Sequence, residues 1–161
     1  MLLQLPHTSG CLVCGRANPH GLRLDLLVDD ADASVHVTFT PRIEHIGFEG
    51  VVHGGIIATV FDEAMVWAAT WAGRRFCVCA ELSVRYLRVA RVDQPLTVIA
   101  RISQNRSRLK IATAEAFDLG GAKVAEAVGK YTPVSADAHR NVLTTFSSDP
   151  ATLTSAEHLS P

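Results

Sequence analysis

Between Gly54 and Ala72 the chain reads as a helix that is apolar around nearly its whole circumference, interrupted only by Thr59, Asp62, Glu63 and Thr70. Such a helix must be enclosed on most sides. The stretch is about as long as a short membrane span, but two adjacent carboxylates at its centre would cost roughly 2.5–3.5 kcal/mol each in a bilayer. A helix buried in protein is therefore predicted, with no membrane span. Gly73 is placed to end it, and Arg74 and Arg75 lie near the negative end of its dipole.

The flanking segments supply the enclosure. Leu22, Leu24, Leu26 and Val28 alternate with Arg23, Asp25 and Leu27, Val35, Val37 and Phe39 alternate with His36 and Thr38, and the acidic run Asp29 to Asp32 makes a hairpin turn between them. After a loop from Pro41 to Gly50 and the helix come four further strand patterns, at about residues 76–88, 94–104, 107–118 and 122–132. Turn signals between them, such as Asp118-Leu119-Gly120-Gly121, space them as an antiparallel meander. The predicted class is α+β, one antiparallel sheet wrapped around a single long helix. Three segments are expected: a leading loop over 1–21, the domain proper over 22–133, and a flexible tail over 134–161. Within the tail, short helical stretches around Ala136 to Phe146 remain open, with a partner subunit as one surface they could pack on.

At 161 residues, with 48% apolar and 19% charged side chains, the chain suits one globular domain. Its formal net charge of −1 gives no field that would recruit nucleic acid or an anionic membrane, so any anionic ligand must be held by local groups. The opening MLLQLPHTSG has no basic region ahead of an apolar run, which sets a cytoplasmic, thiol-reducing location as the expectation.

The chemistry concentrates where the helix starts. His53 is followed by Gly54 and Gly55, so unpaired N–H groups and a partial positive charge stand where a carbonyl oxygen could approach the backbone closely. That is the geometry of an oxyanion hole. Asp62 follows His53 by nine residues, roughly 13 Å along the helix axis, too far for contact within one chain. A site using both would be shared between subunits or bridged by substrate, and a symmetric dimer is the economical expectation.

This His-Gly-Gly helix start, the acid nine residues on, and the strand, strand, helix, four-strand order resemble the hotdog-fold acyl-CoA thioesterases of the 4HBT superfamily, specifically their PaaI-like, phenylacetic-acid-degradation branch. Cys11-Leu-Val-Cys14-Gly15 with Asn18-Pro19-His20-Gly21-Leu22 resembles an N-terminal signature of one subset of that branch. The resemblance spans about residues 11–133. It implies an acyl-CoA substrate, a homodimer or dimer of dimers, and no cofactor beyond the coenzyme A of the substrate. By position, Asp62 matches the catalytic carboxylate, acting as nucleophile or general base. Gly54, with Gly55 beside it, matches the backbone donor to the thioester carbonyl, and His53 the histidine that positions or polarises it. Where several relatives carry an asparagine six residues before the histidine, this chain has Gly47, and Glu49 or Glu63 could substitute for it. A hydroxyl residue that some relatives place in the strand after the helix corresponds to Cys79, with Ser83 as another candidate.

Plainer readings stand beside these. His-Gly-Gly alone is often just a turn, and a buried carboxylate such as Asp62 can serve as a cap or ion-pair partner. Glu63 lies about 100° around the helix from Asp62, with Thr59 and Thr70 on a polar stripe. Cys11-x-x-Cys14 offers two of the four ligands zinc normally takes, and Cys77-x-Cys79 has an atypical gap, so no metal is expected and the leading loop is read as pocket cover. Among Arg85, Arg88, Arg91, Arg101, Arg106, Arg108 and Lys110, Arg106 and Arg108 are the candidates for holding coenzyme A phosphates, and the rest are read as solvated faces. Trp67 and Trp71, four residues apart, suit the core or the acyl pocket. Two rival functions remain open, a hotdog hydratase or dehydratase on acyl thioesters and a non-catalytic acyl-CoA or ligand-binding protein.

Overall fold

The computed structural model describes residues 1–160. The apolar run forms helix α1 (Gly54–Gly73), with Phe61, Ala64, Met65, Ala68 and Ala69 fully buried. Seven strands form one sheet: β1 (Leu2–Gln4), β2 (Leu26–Asp29), β3 (Val35–Phe39), β6 (Cys77–Tyr86), β7 (Leu96–Asn105), β8 (Lys110–Phe117) and β9 (Lys123–Pro133). A separate two-stranded hairpin, β4 (Ile46–Phe48) and β5 (Val51–Val52), precedes α1. Alternation along the strands puts Val35, Val37, Phe39, Val98 and Ala100 against the helix, and on β8 the residues facing it are Ala112, Ala114 and Ala116. Small side chains on the central strands let the helix sit close while its own large residues fill the gap. The predicted α+β class, a sheet around one buried helix, is what the chain forms. Among the described residues no helix is long and apolar enough to cross a membrane.

All pairings are antiparallel, in the order β1-β2-β3-β7-β8-β9-β6. This corrects the simple meander. Of the four strands after the helix only β7, β8 and β9 follow one another, and β6 pairs with β9 (Leu82 opposite Gly129) while β3 pairs with β7. Periodicity tells which face of a strand is buried, not which neighbour it takes. As a result β6, ten residues long, is an edge strand, and among the described residues no strand pairs with its outer side.

Other differences lie at the ends. Residues 2–4 form a strand within the leading segment, and residues 22–25 lie outside any strand, Leu22 and Leu24 donating N–H bonds to Leu12 and Val13 instead. Gly73 stays helical, and Arg74 takes the left-handed cap at φ 50°. Lys110, expected on a solvated face, is buried beside the end of α1, where it bonds Asn105, and Asn105 Nδ2 donates to the Ala72 carbonyl at 3.0 Å. A cation and an amide donor thus meet the negative end of the helix.

The segment expected as a flexible tail carries α2 (Ala136–Leu143) and α3 (Pro150–Ala156), capped by Ser135 and Asp149. It packs on its own chain. His139 is buried, accepting at Nδ1 from the Phe76 N–H (3.2 Å) and donating from Nε2 to the Leu159 carbonyl (2.9 Å). The His158 ring stacks on Trp71 with centroids 3.9 Å apart, and α3 covers β1, the Ser155 hydroxyl donating to the Gln4 carbonyl. His139→Ala strands two buried backbone groups, so a loss of about 1–3 kcal/mol is expected in denaturant melts, with faster proteolysis after residue 134. Unchanged protection of that segment would contradict its docking through His139.

Candidate active site

His53 is the N-cap of α1, and its Nδ1 accepts the Gly55 N–H at 2.9 Å. An unprotonated, accepting Nδ1 places the ring proton on Nε2, which is then free to donate. The backbone of His53 is held by His45, whose carbonyl accepts the His53 N–H at 2.8 Å. The cap also corrects the expected pair of backbone donors. Gly55 N–H is already used, whereas Gly54 N–H has no partner among the described residues.

Two tight approaches explain the glycines here. A Cβ on Gly54 would lie 3.1 Å from the Tyr86 ring, whose hydroxyl donates to the Gly54 carbonyl at 2.7 Å, and a Cβ on Gly47 would lie 3.2 Å from His53 Cα. Gly47, at the asparagine position of the resemblance, thus offers no side chain and lets the β4–β5 hairpin close against His53. Between that hairpin and the segment after β6 lies a mostly apolar cleft of about 310 Å³, bounded by Gly47, His53, Gly54, Ile57 and Tyr86, with Arg88 at its side.

Asp62 lies two and a half turns further along α1, as expected. Its Oδ1 accepts a 3.0 Å hydrogen bond from the hydroxyl of Tyr131, a fully buried residue of β9. Burial, followed by the nearby Asp62 carboxylate, pushes the Tyr131 hydroxyl above its ordinary range. Cys79, opposite Tyr131 in the sheet, belongs to the same group, its thiol raised by burial and by hydrogen bonding with Asp62. Asp62 is half-buried and stands beside the open β6 edge.

Glu63 faces elsewhere, as the turn of the helix requires. Its Oε1 accepts from Trp67 Nε1 at 3.2 Å and lies 3.8 Å from the Cys11 thiol, and burial pushes its carboxyl up to about 7. The polar stripe dissolves: Thr59 bonds the Gly55 carbonyl, while Thr70 is buried and its hydroxyl accepts the Cys77 N–H at 3.3 Å. The leading loop, read as pocket cover, instead meets α1 at Glu63 through Cys11 and lends no residue to the cleft beside His53; its turn is made by Asn18, whose Oδ1 accepts the His20 N–H at 2.9 Å and whose carbonyl accepts the Gly21 N–H at 3.1 Å.

The other candidates are scattered. Ser83 lies on the face of the sheet turned away from the helix, in an outer groove with Arg85 and Glu126. Glu49 is exposed in the β4–β5 turn. Arg106 and Arg108 are exposed in the β7–β8 turn, which meets the far end of α1 from Gly54. Tyr86 and Tyr131 were missed by sequence reasoning, and no local pattern signals either one.

The family model described as thioesterase superfamily matches residues 49–125, a span that begins just before His53 and includes Asp62, Cys79 and Tyr86. A solved superfamily protein is 26% identical with a TM-score of 0.71; the match covers 77% of this chain and 60% of that one. This chain thus spans about three-fifths of that relative. The Escherichia coli PaaI protein from the phenylacetic acid degradation operon is 21% identical, TM-score 0.66, over 71% of this chain and 81% of that one. A Streptococcus mutans protein bound to acetyl CoA is 20% identical, TM-score 0.64, over 70% and 89%. These likenesses identify the sheet wrapped on α1 as the hotdog fold that the superfamily shares. No curated protein matches the sequence.

Proposed function

We propose that this protein hydrolyses acyl-CoA thioesters as a symmetric homodimer, each active site combining Gly54 and His53 of one chain with Asp62 of the other. The observation that carries the reading is the Asp62 carboxylate, held by Tyr131 at the open β6 edge of a superfamily domain whose helix start keeps one N–H unpaired.

Edge geometry supports the shared site. A ten-residue edge strand with unpaired backbone groups invites a second strand, and a two-fold axis makes that pairing antiparallel. Cys79, beside Asp62, is near one end of β6, and Tyr86, bonded to Gly54, is at the other. Antiparallel pairing of β6 with its copy brings one chain's Cys79 end to its partner's Tyr86 end. The carboxylate of one chain then approaches the helix start of the other.

In such a site the thioester carbonyl lies against Gly54 N–H and the positive end of α1, with His53 Nε2–H as a second donor. Asp62 delivers the attacking oxygen, its own or that of a water it deprotonates, to the carbonyl carbon. The tetrahedral oxyanion collapses by breaking the C–S bond, and coenzyme A leaves as a thiolate. When the carboxylate itself attacks, water hydrolyses the resulting anhydride. Thiolate is a good leaving group, so the reaction calls for no metal or redox cofactor. Arg88, beside the cleft, suits the phosphates of coenzyme A better than Arg106 or Arg108 at the far end of α1.

Mixing tests the shared site directly. His53→Ala and Asp62→Ala homodimers are each expected to be nearly inactive, while co-refolded mixtures regain roughly a quarter of wild-type turnover, because half the dimers are mixed and each holds one intact site. Free-thiol release from acetyl, medium-chain, long-chain and phenylacetyl CoA is the readout. No recovery from mixtures shown to contain heterodimers would place the site within one chain. Hydration of an enoyl-CoA without thiol release would point to the hydratase reading.

A further inference from the structure

The hydrolytic reading leaves a second group of reactive side chains unused. Residues 11–15 form a tight turn in which the Gly15 N–H donates to the Cys11 carbonyl at 3.0 Å. The Val13 and Cys14 N–H groups both converge on Cys11 Sγ, at 3.3 and 3.5 Å. Two amides aimed at one sulfur stabilise a thiolate or a metal-bound sulfur. The turn lies against the middle of α1, so the ligand atoms of Cys11, Cys14 and Glu63 lie within 4.8 Å of one another. Cys14 is buried and Cys11 half-buried. Glu63 makes no ion pair among the described residues, although it sits in a helix that is otherwise apolar on that side.

We propose that Cys11, Cys14 and Glu63 bind one divalent cation of the zinc class, with a fourth position open beside the half-exposed Cys11. The donor set selects this class: two thiolates reject magnesium and calcium, while one carboxylate oxygen is acceptable to zinc. Tetrahedral zinc holds such ligands about 3.5–3.8 Å apart, so the group needs only a small contraction. Glu63 is the ligand that cysteine spacing could not supply, because it lies 52 residues from Cys11 and reaches it only through the fold. A Cys11–Cys14 disulfide would leave the Glu63 carboxylate buried with only the Trp67 N–H bonded to it, whereas the cation engages all three groups. Binding displaces the thiol protons, so affinity rises with pH. The ion fastens the leading segment to α1 one residue from Asp62.

The test uses the full-length, untagged protein, reduced, stripped with a chelator, and titrated with zinc alone or with cobalt as a spectroscopic probe. One equivalent per chain is expected, with thiolate-to-cobalt charge transfer in the near ultraviolet and protection of Cys11 and Cys14 from alkylation. Cys11→Ser should lose the strong charge-transfer band, and Glu63→Gln should weaken zinc at least tenfold while keeping thiolate absorption. Cys77→Ala should bind as wild type does. Failure to bind, unchanged affinity in Glu63→Gln, or alkylation protection at Cys77 and Cys79 instead would overturn the site. So would a Cys11–Cys14 disulfide that resists reductant and leaves the cation unbound. Should Cys11→Ser fail to fold, stoichiometry and alkylation mapping on the wild type, with Glu63→Gln, still decide.

Discussion

Asp62→Ala is expected to lower kcat for acyl-CoA hydrolysis by about a hundredfold or more, the range spanned by loss of a positioned acid–base group. The helix should survive. Asp62 is half-buried rather than a core residue, alanine favours helix, and the substitution leaves the Tyr131 hydroxyl and the Cys79 thiol to find new acceptors. Folding and melting temperature near wild type, with turnover lost and acyl-CoA binding retained, is the expected combination. Asp62→Asn sharpens the test, since it preserves shape and accepts the Tyr131 bond yet cannot attack or deprotonate water. Normal turnover in either variant would remove Asp62 from the chemistry and the thioesterase mechanism with it.

Tyr131→Ala is expected to be the most damaging of these changes to stability. The ring is fully buried between β9 and α1, and removing a large aromatic from such a position costs about 3–5 kcal/mol, or roughly 10 °C in melting temperature for a chain of this size. Tyr131→Phe separates the ring from its hydroxyl. It keeps the packing and loses the bond to Asp62, so a stability loss of only about 1–2 kcal/mol is expected, with a fall in kcat of roughly tenfold and KM little changed. That split marks Tyr131 as a positioning residue for Asp62. Equal stability losses in the two variants would instead put the contribution of Tyr131 in its hydroxyl, and wild-type kcat in Tyr131→Phe would free Asp62 from its influence.

The helix was legible because a continuous apolar surface twenty residues long admits few other solutions. Asp62 and Glu63 stood out against it for the same reason, and their divergence followed from 3.6 residues per turn. The strands from β7 to β9 were legible from alternation and turn residues. By contrast β1 is only three residues long, and its place depends on pairing Leu2 with Asp29 of β2, a partner distant in sequence. Of the C-terminal helices, a stretch around Ala136 was left open and the one over Pro150–Ala156 escaped, because both are short and polar and their docking rests on distant partners, above all His139 between Phe76 and Leu159. Ser83, Arg106 and Arg108 were misplaced for a related reason: knowing that a residue lies on a strand or turn does not say which face or end of the molecule it reaches.

By itself, then, the sequence determined the local and periodic features: a buried central helix, a predominantly antiparallel sheet, a helix start bare of side chains and a carboxylate nine residues beyond His53. Each depends on neighbours within a turn or two of chain, where steric and hydrophobic rules act directly. Only the tertiary structure decided that β6 is an open edge, that Tyr131 holds Asp62 from 69 residues away, that the His53 ring already occupies Gly55 N–H, and that Glu63 meets Cys11 and Cys14. Apart from the His53 cap, a choice of ring orientation, these are meetings of distant segments. Such pairings are selected by the packing of the whole sheet on the helix, a property no single stretch of sequence carries.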